Sequence, residues 1–319
     1  MISPAPLPLF TQPSLPNLPC YLNGKFTQLS KAKISVMDRG FIFGDGVYEV
    51  VPVYGGVPFR FEHHMARLER SLAELRIPAP LNRSQWLAVV LRLIRTFQKP
   101  QQNGAPDGSA DQLIYIHVTR GVALREHTML PGLVPTVFAM TNTLPVPSLA
   151  QRKKGVACVT ADDFRWQKAH IKATSLLGAV FARQISFDAG ALETVMFRNG
   201  YLSEAAASNV WVVKDGRIIG VPKDNLVLEG IRYGLFAQLA KQIGARFELR
   251  RIRRDEVLNA DELLLSSATK EVLAITRLDG HPVGTGDYKG KPGPVYARLY
   301  QAYQQAKIAE HVAFVRSLV

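Results

Sequence analysis

Lys172 stands immediately before an apolar-patterned segment, Ala173 to Phe187. A lysine at such a boundary is ordinarily solvated. Held instead in a cleft of low polarity, its amine could attack a carbonyl and form a Schiff base. Glu204 opens the run Ala205-Ala206-Ala207-Ser208-Asn209. Read alone it is a turn carboxylate. Its small neighbours would also let a flat ring lie against the backbone. A carboxylate beside a ring nitrogen keeps that nitrogen protonated and strengthens an electron sink. Gly230-Ile231 opens a further apolar-patterned segment. A glycine at a helix entry lets an anion approach free backbone N–H groups, and the helix dipole favours a phosphate there. Ser267-Ala268-Thr269 could form a second hydroxyl-bearing turn around the same anion, with Arg67 as counter-charge. Arg125 and His127 fall in a loop, where a guanidinium fork suits a carboxylate. Taken singly, they are ordinary loop charges.

The elements that must position these groups can be read from periodicity. Tyr21-Leu22-Asn23-Gly24-Lys25-Phe26 predicts a hairpin, because Asn-Gly suits a two-residue turn. Val47 to Tyr54, closed by Gly55-Gly56, predicts a strand and turn. Helical spacing marks Glu62 to Leu75, with Met65, Leu68, Leu72 and Leu75 on one face, and Trp86 to Phe97. Gln101 to Asp111 is a polar loop, and 113–119 and 136–141 are strand-like. The second half predicts strands at 156–160, 195–197, 209–213 and 262–266. It also predicts helices at 173–187 and 231–243, the first with Leu176, Leu177, Val180, Phe181 and Ile185 as its apolar positions.

Composition bounds the class. The length suits two domains. Residues 1–20 read as a flexible, Pro-rich extension with six prolines between Met1 and Pro19 and no signal-peptide pattern. Residues 21–143 form the first domain, 144–155 a Pro-stiffened and charged linker, and 156–319 the second domain. No apolar stretch is long enough to span a membrane. The net charge is +13, yet the basic residues are scattered and runs such as Arg250-Arg251-Ile252-Arg253-Arg254 are short. That favours a site for anionic small molecules over a nucleic-acid partner. Cys20 and Cys158 lie far apart with no CxxC pair, which argues against a metal site or disulfide framework and suits a reducing cytoplasm.

Together these motifs resemble a known family. Asp38-Arg39-Gly40-Phe41-Ile42-Phe43-Gly44-Asp45-Gly46-Val47-Tyr48-Glu49-Val50 resembles the N-terminal signature of fold type IV enzymes that depend on pyridoxal 5′-phosphate (PLP). Lys172, Glu204 to Asn209, Leu228-Glu229-Gly230-Ile231 and Ser267 to Glu271 follow in the family's order. The match runs from about Tyr21 to about Asp279. The family includes D-amino-acid aminotransferase, branched-chain aminotransferase and aminodeoxychorismate lyase. The resemblance implies an α+β, two-domain fold, with a smaller N-terminal α/β domain and a larger C-terminal pseudo-barrel α/β domain carrying a terminal helix.

It also implies roles. Lys172 would form the internal aldimine and shuttle the proton between the substrate Cα and the cofactor. Glu204 would face the pyridinium nitrogen, Leu228 would pack on the ring, and Arg67 would bind phosphate. The backbone of Ile231 and Arg232, with Ser267 and Ala268, would complete the phosphate cup. Val47-Tyr48-Glu49-Val50 and Arg125-Glu126-His127 resemble the D-amino-acid type. There Tyr48, Arg125 and His127 would clamp the substrate carboxylate, with Arg125 and His127 reaching in from the second subunit of a homodimer. The clamp's position relative to Lys172 fixes which enantiomer presents its Cα–H bond to the amine.

The implied reaction moves the amino group of a D-amino acid to a 2-oxo acid. Alternatives within the family are a branched-chain L-amino-acid or (R)-amine transaminase, or an aminodeoxychorismate lyase. Outside it stands a basic binding protein with a retired active site. Two departures stand out. Arg232 occupies a position where many relatives carry threonine, and Thr128-Met129-Leu130-Pro131 follows His127 where relatives often show a shorter aromatic-Pro pattern.

Overall fold

The computed structural model describes residues 16–98 and 111–317. The proposed N-terminal extension up to residue 15 and nearly all of the polar loop at 101–111 lie outside the described residues.

The N-terminal half is a six-stranded antiparallel sheet backed by two helices. Its elements are β1 (Pro19–Leu22), β2 (Lys25–Gln28), α1 (Arg39–Phe43), β3 (Gly46–Tyr54), β4 (Val57–Pro58), α2 (Phe61–Glu74), α3 (Arg83–Gln98), β5 (Gln112–Thr119) and β6 (Thr136–Thr143). The strand order is β2-β1-β6-β5-β3-β4. β1 and β2 form the expected hairpin, with Leu22 opposite Lys25 and Asn23 and Gly24 both at positive φ in the turn. Alternation along β3 divides its side chains between two faces. Val47, Val51 and Val53 join Met65, Leu68 and Leu72 of α2 in one apolar cluster. Tyr48 and Val50 face the opposite way.

Between the halves, the segment 144–155, read as a Pro-stiffened and charged linker, contains a short helix, α4 (Leu149–Lys154). Ser148 accepts from the Gln151 N–H and the Gln151 side chain returns the bond, a reciprocal cap that starts the helix. Arg152 is not solvated; it reaches Glu271 at 2.7 Å.

The C-terminal half contains β7 (Val156–Asp162), α5 (Leu177–Asp188), β8 (Glu193–Arg198), β9 (Tyr201–Ala205), β10 (Asn209–Lys214), β11 (Arg217–Gly220), α6 (Arg232–Gln242), β12 (Phe247–Leu249), α7 (Arg254–Leu258), β13 (Glu262–Ser267), β14 (Glu271–Leu278), β15 (His281–Pro282) and α8 (Pro294–Arg316). Strand order is β12-β11-β10-β13-β14-β7-β8-β9, with β15 paired to β14. The sheet curls until its ends nearly meet, for the Leu202 N–H of β9 donates to the Ile252 carbonyl just beyond β12 at 2.8 Å. Trp211, Phe236, Leu264, Leu273 and Tyr303 fill the resulting pseudo-barrel and its helical cover.

The helix expected from Ala173 starts only at Leu177. Residues 172–174 are extended because β3 claims their backbone: Tyr48 N–H donates to the Lys172 carbonyl at 3.0 Å and Thr174 N–H to the Gly46 carbonyl at 2.9 Å. The apolar positions of α5 are also not a core face. The helix buries Ala182 and Ser186, and leaves Leu177, Val180, Phe181 and Phe187 each more than half exposed.

Candidate active site

A cavity of about 960 Å³ lies where β3, the 164–176 segment, α5, the 204–209 turn, the 228–232 segment and the 266–269 turn converge. That volume is at the large end of small-molecule sites. It is lined by Tyr48, Arg67, Lys172, Glu204, Leu228, Ile231, Arg232, Ser267 and Ala268. These residues span most of the sequence and are all of the expected cofactor group plus Tyr48.

Lys172 enters from the extended 172–174 segment. Its backbone is pinned on one side by β3 and on the other by the Ser71 hydroxyl, which accepts the Lys172 N–H at 3.2 Å. The amine lies 3.8 Å from the centroid of the Tyr48 ring, a cation–π contact that holds it over the cavity wall.

Glu204 is buried at the end of β9. Its Oε1 accepts from Arg165 Nη1 at 2.7 Å and from the Leu228 N–H at 3.2 Å, and Oε2 accepts from Asn209 Nδ2 at 3.1 Å. Burial pushes the Glu204 carboxyl up, and the Arg165 guanidinium pulls it back. Arg165 is itself clasped by Asp163, through Nε and Nη2, both at 2.9 Å. Asn209 also donates to the Leu228 carbonyl at 3.0 Å, so Leu228 is fixed through both of its peptide groups. A Cβ at Gly230 would stand 2.0 Å from Asn209 Oδ1. Glycine there is what allows the chain to pass this amide and enter α6.

Arg67, on α2, donates to both oxygens of Glu49 at 2.7 and 2.8 Å, and through Nη1 to the Glu229 carbonyl at 3.2 Å. His64 Nδ1 lies 2.7 Å from the same carboxylate. Ser267 Oγ accepts the Lys270 N–H at 3.1 Å and so shapes the tight turn after β13. This turn and the N-terminus of α6 both border the cavity.

Arg125 and His127 are exposed and do not line the cavity of their own chain. They sit on Phe43: the Arg125 guanidinium is 5.6 Å and the His127 ring 5.2 Å from its centroid. Arg39 ties the loop down by donating to the Glu126 carbonyl.

Sequence reasoning gave no role to Glu49, Asp163 or Arg165. Glu49 had a usable signal: it is a carboxylate at an inward position of an otherwise apolar strand, and a buried charge demands a partner. Arg165 had none, because its role follows from a fold that brings residues 163–165 against 204. The basic run at 250–254 is largely consumed internally. Arg250 pairs with Glu248 and Glu256, Arg253 with Asp255, and Arg251 covers the Tyr201 ring.

Several observations fit PLP. A buried carboxylate stands ready for a pyridinium nitrogen, and a lysine amine faces the same space. A helix N-terminus and a hydroxyl-bearing turn present donors to a phosphate. Arg232 Nε is buried without a partner. Among the described residues, no group of three His, Cys, Asp or Glu side chains is placed to hold a metal ion, and no helix is long and apolar enough to cross a membrane.

Comparison with known proteins agrees. The family model for amino-transferase class IV matches residues 46–278. The D-alanine aminotransferase of Bacillus licheniformis is 35% identical over 288 residues, covering 90% of this chain and 96% of that protein. The D-alanine aminotransferase of Staphylococcus aureus (strain COL) is 33% identical over 286 residues, with 89% and 96% covered. Among solved structures, the T.th. branched-chain amino acid aminotransferase with pyridoxamine 5′-phosphate superposes with a TM-score of 0.81, at 23% identity and 92% and 94% coverage. The branched-chain enzyme from Escherichia coli gives 0.77, at 23% identity and 90% and 93% coverage. At that identity the two structures establish the fold alone.

Proposed function

The chain belongs to the class IV aminotransferases, and from that premise we propose that it transfers the amino group of a D-amino acid, such as D-alanine, to a 2-oxo acid, such as 2-oxoglutarate. The enzyme is PLP-dependent, as its family is. The observation that carries the reading is the meeting of Lys172, Glu204 and the N-terminus of α6 in one cavity. Choice of the D-series rests on the D-alanine aminotransferases at 35% and 33% identity, and on Tyr48 standing beside Lys172.

Bound PLP supplies an electron sink that stabilises negative charge at the substrate Cα. Lys172 Nζ would hold the cofactor and carry the proton at Cα, which its position above the cavity wall allows. Glu204 would keep a proton on the ring nitrogen, a role for which Arg165, Asn209 and the Leu228 N–H hold the carboxylate in place. Leu228 would lie against the ring face. The N–H groups of Ile231 and Arg232, with Ser267 and Ala268, would hold the phosphate beside Arg67. Tyr48 would help to orient the substrate carboxylate.

Arg125 and His127 complete the carboxylate clamp in this reading, and they would do so in the cavity of a second copy. A homodimer is supported by the apolar surface that one chain leaves open. Leu177 is 69% exposed, Phe181 59% and Phe187 72%, all on α5, of which Phe187 lines the cavity; Leu124, beside Arg125, is 84% exposed. Apolar surface of this extent usually marks an interface. We assign the two domains to 21–143 and 156–319, joined by 144–155. The enzyme is placed in the cytoplasm, to which the free, buried Cys20 and Cys158 are suited.

The reading is tested by supplying purified protein with PLP, D-alanine and 2-oxoglutarate. Pyruvate should form, and a visible cofactor band should be present in the wild type and absent in Lys172→Ala. A protein with neither band nor pyruvate is not this enzyme.

A further inference from the structure

Arg232 is a buried cation with no ion-pair partner among the described residues. It is the first residue of the 11-residue helix α6 and is 3% exposed. Nη2 donates to Tyr303 Oη at 3.1 Å and lies 3.5 Å from the Ala268 carbonyl, while Nε has no partner. Among the described residues it makes no ion pair. Two acids reach it by their field, Glu271 and Glu310, and neither touches it; Glu271 is committed to Arg152 at 2.7 Å and Lys307 at 2.8 Å. Glu310 binds the backbone N–H of Arg60. The remaining neighbours in its field add no negative charge. They are Tyr54 and Tyr303, whose hydroxyls burial keeps protonated, together with His64 and Arg60. A guanidinium does not lose its proton in a protein. Burying one without a counter-charge is costly, and the cost is relieved when an anion arrives.

The place where an anion would arrive is adjacent. Arg232 lines the cavity, its own N–H belongs to the free N-terminus of α6, and its side chain borders the Ala268 turn. Arg67 is differently situated. Two of its nitrogens are spent on Glu49, so its charge is already met before any ligand enters.

We propose that Arg232 is the unmet positive charge for the cofactor's phosphate, and that Arg67 serves there as a hydrogen-bond donor whose charge Glu49 has neutralised. Selectivity for a phosphorylated over an unphosphorylated cofactor then rests chiefly on Arg232. This inference depends on the PLP reading above.

The test compares PLP with pyridoxal, which lacks the phosphate. Dissociation constants for cofactor-free protein would be followed by quenching of tryptophan fluorescence; Trp166 lines the cavity. Arg232→Met should lose PLP affinity on the order of a hundredfold, with pyridoxal affinity unchanged. Arg232→Lys, which keeps the charge, should retain most of it. An unchanged PLP affinity in Arg232→Met, or an equal loss for both ligands, overturns the proposal. A wild type that binds neither ligand refutes the PLP reading instead. Should Arg232→Met fail to fold, the Nε–H resonance of Arg232 in the 15N-labelled wild type gives the answer. A shift on adding PLP but not pyridoxal supports the proposal, and a resonance that PLP leaves unmoved contradicts it.

Discussion

Arg165 Nη1 donates to Glu204 Oε1 at 2.7 Å, and Asp163 holds the other edge of the same guanidinium. A carboxylate buried this deeply would tend to take up a proton, and Arg165 opposes that. Burial still leaves the carboxyl above its ordinary value, and the ion pair with Arg165 is what favours the carboxylate form facing a ring nitrogen. Glu204→Gln should bind PLP but lower kcat on the order of a hundredfold, because a neutral amide cannot hold the ring proton. Near-normal kcat in a variant that retains the cofactor would remove Glu204 from this role.

Lys172, its backbone pinned by β3 and Ser71, holds its amine over the Tyr48 ring at the cavity wall. Lys172→Ala should abolish transamination, since cofactor attachment and proton transfer at Cα both depend on Nζ. Steady-state assays with D-alanine check this, and substantial remaining turnover would contradict the assignment.

The clamp predicts a split between substrates. Arg125→Ala should raise KM for a D-amino acid by about tenfold to a hundredfold, the scale of a lost charge-assisted hydrogen bond. KM for a simple amine should move little. Equal effects on both would return Arg125 to the status of a loop residue.

If α5 forms the interface, Phe181→Asp should disrupt it. Phe181 is 59% exposed in the single chain, so the change costs that chain little. Light scattering should show a smaller particle, and activity should fall with it because Arg125 and His127 no longer reach a cavity. A monomeric wild type with full activity would rule this out.

Stability should depend on pH through the buried trio Glu49, Arg67 and His64. Burial pushes the His64 imidazole down to about 4, against the pull of Glu49. An unfolded histidine titrates near about 6.5. Between those values the unfolded chain takes up a proton that the native chain refuses, so stability falls as pH drops from about 6.5 to about 4. Glu49 is held well below the usual carboxylate range by Arg67 and His64, despite burial, which adds a further loss below about 4.3. Denaturant midpoints should show the upper decline in the wild type and a shallower one in His64→Gln. Some slope should remain from His63 and His117, which burial also pushes down. Glu49→Gln should cost about 3–5 kcal/mol at neutral pH by leaving Arg67 buried and unpaired.

Much of this was written locally in the chain. The Asn23-Gly24 turn, the strand at 47–54 and the helix face of Met65, Leu68 and Leu72 follow from residue types and spacing alone. The motif around Tyr48, with Lys172, Glu204 and Gly230, points to residues that the fold brings to one cavity, while Arg125 and His127 do not join them within the chain. What could not be read is what depends on partners distant in sequence. Residues 172–174 are extended rather than helical because β3 takes their hydrogen bonds. The apolar stripe of α5 has the periodicity of a core face, yet the fold leaves it exposed in the single chain. Arg165 reads as one more member of a basic composition until the fold sets it against a carboxylate, and the sequence, which points to Arg232 through its backbone in the phosphate cup, does not show that its side chain is left without an ion-pair partner.

The most direct measurement is the enantiomer comparison. Purified protein with PLP and 2-oxoglutarate is given D-alanine or L-alanine, and pyruvate is followed. Pyruvate from the D-isomer alone is the predicted result, and it would tie Tyr48, Arg125 and His127 to the choice of hand. Pyruvate from the L-isomer alone, or from neither, would contradict the account.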